Sequence, residues 1–427
     1  MRVMKHKKTS LAVAAALALG AGAAQAEIGM KAGAWDLSFS GNVNGFATWN
    51  SCDSSATVVA GGLACNNGVG GGKEQAIESG LLPSALVFGA KSRQAGWDIG
   101  WTIGFYPGIT SSATGKHGIG ASTIDARQNF LTFGDKTVGT VKVGRDIGLF
   151  GSDAILADMT LLGVGSGGAF GGGNTTLGRI GVGYIYTDWI PQISYTSLKY
   201  GAFQYSAGLF QGVDLAAFAG SAAAANPNSA LLTAHEQPGL QAKGSYEWTG
   251  RVAGKAWVSA LSQKVKARAG DTTAAAVPVP IPTGMSVSGQ AFDLGAKVNV
   301  ADFEGVLYAY SGDGIGTTAI GFDAAAFAGA TLEKRKSKGG YVQGTYKIGK
   351  FKPGVSYGES RLDLASNETA ATNGTLVKSN KSAVVGLYYS LTQSLNLVGE
   401  YISTKSENQA GGDNKDSVIA LGAILFF

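Results

Sequence analysis

Cysteine, histidine, proline and long apolar runs are all scarce in this 427-residue chain, and each shortage removes a class of function. Two cysteines are too few to build a zinc site, which takes about four ligands. The three histidines are His6, near the N-terminus, and His117 and His235, in expected surface loops, which leaves little material for general-base catalysis. Nine prolines exclude a proline-rich linker, and 15% charged residues beside 45% apolar ones exclude a disordered chain. Past residue 26, one uncharged run, 215–234, has the length of a membrane helix. Asn226-Pro227-Asn228 interrupts its centre and would leave backbone groups unpaired in lipid. It reads as a loop with room for a short helix.

The N-terminus accounts for the charge imbalance. Arg2, Lys5, Lys7 and Lys8 precede an uncharged stretch ending in Ala24-Gln25-Ala26, the pattern of a secretory signal peptide over 1–26. Removing those four basic residues from the 34 in the chain leaves 30 against 29 acidic ones. The expected mature chain, 27–427, is therefore close to neutral, and nothing in it suggests nucleic acid as a partner. In an exported protein Cys52 and Cys65 are expected to form a disulfide. It closes a loop of about 14 residues, a constraint on the order of 3 kcal/mol in the chain-entropy picture. Metal binding is the weaker alternative for the pair. No cofactor is expected.

Alternation and glycine are what the chain has in abundance. Along 34–50, Trp35, Leu37, Phe39, Val43 and Trp49 share one face of a strand. Asp36, Ser38, Ser40, Asn42, Asn44, Thr48 and Asn50 share the other, with Phe46 out of place. The two tryptophans lie roughly 33 Å apart along a strand tilted at ~45°, close to a bilayer with its interfaces. The same period recurs over 97–106, 240–249 and 292–300. In the last segment Ile419, Leu421, Ala423, Leu425 and Phe427 form a lipid-facing row, while Val418, Ala420, Gly422, Ile424 and Phe426 face the other way. Polar rows alternating with apolar ones point to a closed barrel with a wet interior.

Connections alternate in length as well. Short ones fall at 93–96, 134–138, 198–201, 250–251, 301–302, 349–350 and 392–394. Long ones fall at 51–79, 107–121, 211–237, 267–285, 314–338, 362–380 and 405–416. Short periplasmic turns and long outer loops then separate roughly sixteen strands of an all-β transmembrane antiparallel barrel, with both ends periplasmic. The connection 146–184 differs from its neighbours by carrying Gly163, Gly165, Gly167, Gly168, Gly171, Gly172 and Gly173. Such a segment either folds inward, backbone against backbone, to narrow the barrel, or stays outside as a mobile loop.

The stretch Arg127-Gln-Asn-Phe-Leu-Thr-Phe-Gly-Asp-Lys-Thr-Val-Gly-Thr-Val-Lys-Val-Gly-Arg145 resembles the general porins of Gram-negative outer membranes, in particular the beta-proteobacterial group. Those carry an R-x-x-F strand, a glycine turn and a strand ending in G-R before a constriction loop. Residues 192–203 resemble the strand and turn after that loop, and the terminal Phe427 agrees. The resemblance implies a homotrimer of sixteen-stranded barrels in the outer membrane, each narrowed by an inward-folded third loop. It implies a basic wall at Arg127 and Arg145, with Lys142 and Arg179 as replacement charge, facing acidic residues among Asp146, Asp153 and Asp158. Two features depart from the family pattern. The acidic P-E-F-G-G loop core is replaced by Gly151-Ser-Asp-Ala-Ile-Leu, and Ala85 stands where a basic residue is usual.

Other chemistry has little support. Gly163-Val-Gly-Ser-Gly-Gly168 matches G-x-G-x-x-G without a surrounding βαβ pattern. Glu333-Lys-Arg-Lys-Ser-Lys338 reads as a solvated basic run on an outer loop, with lipopolysaccharide phosphate as the sharper alternative partner. The expected function is passive diffusion of small hydrophilic solutes through a water-filled outer-membrane channel. A substrate-specific channel is the alternative within transport; an outer-membrane hydrolase or adhesive barrel is the alternative outside it.

Overall fold

In the computed structural model the described residues are 28–53, 57–65, 72–111, 122–166, 175–217, 228–275 and 277–427. The expected signal peptide, His117 and five of the loop glycines (Gly167, Gly168, Gly171, Gly172 and Gly173) lie outside them. Strands begin with β1 (Ile28–Ala32), β2 (Trp35–Cys52), β3 (Gly72–Glu78), β4 (Ala85–Gln94) and β5 (Trp97–Ser111). They continue with β6 (Ser122–Asp135), β7 (Gly139–Ile147), β8 (Trp189–Thr196), β9 (Phe203–Phe210) and β10 (Gly239–Trp248). Next come β11 (Val252–Lys266), β12 (Ser286–Val300), β13 (Phe303–Asp313), β14 (Ala325–Ala328) and β15 (Thr331–Lys334). The last are β16 (Lys336–Tyr346), β17 (Phe351–Leu362), β18 (Val377–Ser390), β19 (Leu395–Asn408) and β20 (Asp413–Phe426). Among the described residues the one α-helix is α1 (Ser152–Ala157), and no helix there is long and apolar enough to cross a membrane.

Every strand except the β14–β15 hairpin belongs to one sheet of 18 segments, which closes on itself through β2 and β20. Two barrel staves are each built from two segments. β3 and β4 pair in turn with the two halves of β2, from Cys52↔Gly72 to Asp36↔Lys91. On its other flank, β2 is met by β20 from Cys52 to Asn42 and then by β1 from Phe39 to Trp35. Backbone bonds between Gly41 and Phe427 mark the seam. The result is a closed 16-stranded antiparallel barrel, with both chain ends contributing to one stave. Closure leaves no unpaired edge, the condition a sheet must meet in hydrocarbon.

The rows read from sequence hold. Ile419 is 50% exposed and Val418 1%, and the alternation continues through Leu421 and Leu425 outside and Ala420 and Ile424 inside. Phe46 is buried on the inward row of β2 and packs against Met159 and Val164, which explains its place among asparagines and threonines. The inward row is not polar throughout. Along β11, β12, β13 and β16 it presents Trp257, Leu261, Ala291, Val306, Tyr308, Tyr310 and Tyr341.

Where it is described, the run 215–234 is the expected loop: 215–217 and 228–234 form isolated bridges with each other and with neighbouring segments, and 218–227 lie outside the described residues. One surface expectation changes. The basic run at 333–338 is not wholly solvated, because Arg335 is 0% exposed. Its guanidinium meets Glu368 through two bonds of 2.8 and 2.6 Å and also reaches Ser229 and Asp323. A buried guanidinium needs that many acceptors, and it ties three long loops together. Leu215, Leu232, Ile281, Ala325 and Phe327 of these loops form a small core with Val265 of β11 and Val287 of β12. Cys52 and Cys65 form the expected disulfide.

Candidate pore constriction

Between β7 and β8 lie residues 148–188, whose described parts, 148–166 and 175–188, leave the wall and bond to inward-row side chains of distant strands. Gln241 on β10 accepts from the Leu149 and Phe150 amides, and Asp293 on β12 accepts from Gly151 N. Gln343 on β16 accepts from Met159 N and donates to the Ala157 carbonyl. Glu400 on β19 accepts from the amides of Val164 and Gly165. These partners belong to the row that alternates with the exposed apolar one, and they satisfy backbone groups that no strand pairs with. Phe150, Ile155, Ile180, Val182, Tyr184 and Ile185 complete the apolar cluster with the inward aromatics of β11, β13 and β16.

Glycine is needed here for closeness. A Cβ at Gly163 would stand 2.2 Å from a Glu400 carboxylate oxygen, and one at Gly178 would stand 2.2 Å from Leu81. The G-x-G-x-x-G match is thereby accounted for: the amides at 164 and 165 that could cradle a phosphate already hold a carboxylate.

The expected charges separate into distinct sets. On the β6–β8 side, Arg127 donates from Nε to Asp125 at 2.8 Å and lies over the Tyr106 ring. Lys142 pairs with Asp146 and lies over Phe130, and Asp146 also accepts from Gln128 at 3.1 Å. Asp146 is thus a strand residue of β7. Arg145 is half-buried opposite Asn129 and Pro191, and its Nε has no hydrogen-bond partner. Asp188, held by the Trp189 amide, has its carboxyl pushed up by burial, an effect that Arg145 and Arg127 oppose. A cavity of about 260 Å³ sits beside this set, lined by Asp125, Arg127 and Asp188 and by Ile155, Leu156 and Trp189.

Asp153, on α1, reaches the other side. It is ion-paired with Lys243 of β10 at 2.9 Å and with Lys255 of β11. Burial pushes its carboxyl up, but the two lysines outweigh that and hold it down at about 2. Asp158 finds its partners within the segment, whereas Arg179 reaches from it to the wall strands β17 and β18. Arg179 is 0% exposed and donates to the carbonyls of Ser382 and Ser356 at 2.8 and 2.6 Å. Asp158 accepts from Thr160, from the Tyr184 hydroxyl at 2.8 Å and from Arg179 N. Burial raises the Asp158 carboxyl and lowers the Arg179 guanidinium. Sequence reading missed Lys243 and Lys255. Both stand on polar rows, but only strand register shows that two successive strands present them to one carboxylate.

The profile of the Gram-negative porins matches residues 12–409. A search of curated proteins gives no match. Among solved structures, the outer membrane channel DcaP of Acinetobacter baumannii is 17% identical, covering 93% of this chain and 99% of its own at a TM-score of 0.66. The anion-selective porin from Comamonas acidovorans is 12% identical, covering 92% and 100% at 0.56. OmpT of Vibrio cholerae in its trimer form is 12% identical, covering 92% and 100% at 0.51. At these identities the likeness is one of fold. Family and fold point to a channel rather than an enzyme. With most of its length matched by the family profile and a closed barrel to carry it, the chain belongs to the Gram-negative porins, outer-membrane channels for passive diffusion of small solutes.

Proposed function

We propose that the described parts of the segment 148–188 lie inside the barrel as the constriction of the channel. Its backbone bonds to the inward rows of β10, β12, β16 and β19 carry this reading, since a loop outside the barrel would not reach all four. Arg127, Lys142 and Arg145 with Asp125, Asp146 and Asp188 would then border the opening on one side. Asp153 with Lys243 and Lys255 would border it on the other. Opposed fixed charges across a narrow aqueous gap set up a transverse field that orients polar solutes and disfavours apolar ones. The working assembly is a homotrimer in the outer membrane, released from its signal peptide after Ala26.

Planar-bilayer recording tests this. Stepwise conductance is expected, and replacing Arg127 and Arg145 by glutamine should move the reversal potential in a salt gradient toward cation preference. Unchanged conductance and reversal potential in that variant would remove both arginines from the constriction. The mixed cavity beside Arg127 favours a second reading, a channel selective for solutes with both an apolar and a charged part. Block of ion current by such a solute at micromolar concentration would support it.

A further inference from the structure

Within the connection between β2 and β3, residues 57–65 turn inward as well. Polar side chains at the long-loop ends of three successive strands hold their backbone. Asn380 on β18 accepts from Leu63 N at 3.1 Å and donates to the Gly61 carbonyl at 3.2 Å. Ser406 on β19 accepts from the Leu63 and Ala64 amides, each at 2.9 Å. Asp416 on β20 accepts from Cys65 N at 3.0 Å. Asn380, Ser406 and Asp416 are all buried, on the rows that alternate with the outward ones. Glu400 of β19 holds the amides of Val164 and Gly165 in the same manner. Ser406 lies six residues beyond Glu400 toward the long loops, about 20 Å along the strand and roughly 14 Å along the membrane normal.

Both ends of this stretch are fastened. Ala60 N donates to the Thr375 carbonyl and the Ala60 carbonyl accepts from Val377 N, each at 2.8 Å. The Cys52–Cys65 disulfide ties the other end to β2. A cross-link closing a loop of about 14 residues shifts the balance between seated and released chain by roughly a hundredfold. Between the anchors, Leu63 is 1% exposed and packs in one cluster with Ile180 of the 175–188 stretch. Gly181 makes room for it. A Cβ there would stand 2.7 Å from Leu63 Cδ1, and the φ of 75° suits glycine. Residues 57–65 carry no charge.

We infer that 57–65 is a second inward element, seated nearer the outer mouth than the constriction, and that it sets the upper size limit for solutes through Leu63. It covers the inner faces of β18, β19 and β20 beyond Glu400 and props the 175–188 stretch from outside. The opening left for solutes is then narrower than 148–188 alone would leave. Having no charge, this element selects by size and leaves charge selection to the ionised groups below it. The inference rests on the reading of 148–188 as an inward constriction and adds to it a residue that governs size.

The test follows entry of a monosaccharide and a trisaccharide into liposomes carrying the purified full-length barrel, before and after reduction in place. A water-soluble phosphine becomes its oxide as the two sulfurs become thiols, and alkylation with mass measurement shows that both are free. Reducing the folded barrel avoids any question of whether a variant assembles. Because pore selectivity follows diameter, trisaccharide entry relative to monosaccharide should rise about threefold on reduction and return on reoxidation. Cys52→Ser with Cys65→Ser should match the reduced protein. Leu63→Ala, with the disulfide intact, should move the ratio the same way by a smaller factor. The reversal potential in a salt gradient should stay where it is, since no charge is removed. The Arg127 and Arg145 variant is read by that potential and this element by the sugar ratio, so the two readings fail separately. A ratio unchanged with both thiols free, an equal rise for both sugars, or a Leu63→Ala barrel identical to the unaltered one would each overturn the inference.

Discussion

Asp153 and Asp158 lie on consecutive turns of one segment, both almost fully buried, and their carboxyls move in opposite directions. Asp153 faces two lysines whose ammonium groups keep partial access to water, so its charge is answered twice over. Asp158 has Tyr184 and Thr160 as hydrogen-bond donors, but the Arg179 guanidinium points at the carbonyls of Ser356 and Ser382 instead. Burial by itself raises a carboxyl; at Asp153 the two lysines outweigh it, while at Asp158 the Arg179 charge and the hydrogen-bond donors do not. The two ends of the segment are therefore fastened differently, one by salt bridges to the wall and one by a dry hydrogen-bonded knot.

Removing Arg179 should sharpen the contrast most. Arg179→Met leaves a buried carboxylate with less compensation and should cost about 3–5 kcal/mol, seen as a lower thermal midpoint and faster proteolysis within 148–188. Adding Asp158→Asn to it should restore roughly 1–3 kcal/mol, because the orphaned charge is gone. If the double variant is no more stable than the single, the knot is not electrostatic. Asp153→Asn should cost less, roughly 1–2 kcal/mol, since Lys243 and Lys255 can turn to water. It should also shift the reversal potential toward anions. Lys255→Gln should cost under about 1 kcal/mol, because Lys243 remains.

Acid separates the two ends by sign. The Asp153 carboxyl is depressed in the folded protein, so its contribution is present above the unfolded value near 3.8 and is lost as the pH falls toward about 2. Asp158 is raised, so its contribution is greatest below 3.8 and declines as the pH rises through its folded value. Thermal midpoints followed from pH 7 to 2 should therefore show the difference between Asp153→Asn and the unaltered protein vanishing at the acid end. A difference independent of pH would contradict the salt-bridge account.

How far the sequence can be read follows from the range of each interaction. Alternation along β2 and β20 announced the barrel because side-chain direction in a strand is local, and the turns at 250–251 and 301–302 were legible for the same reason. Phe46 was visible as an exception but not as a contact, since Met159 and Val164 are over a hundred residues away. Lys243 and Lys255 looked like solvated strand lysines, and Arg335 like part of a solvated run, until register and loop packing gave each its carboxylate. The residues by themselves determined an outward apolar surface, a closed sheet and the place where the chain leaves the wall. Which inward groups the departing segment meets was decided only in three dimensions, because those pairings depend on the shear and closure of all sixteen staves together.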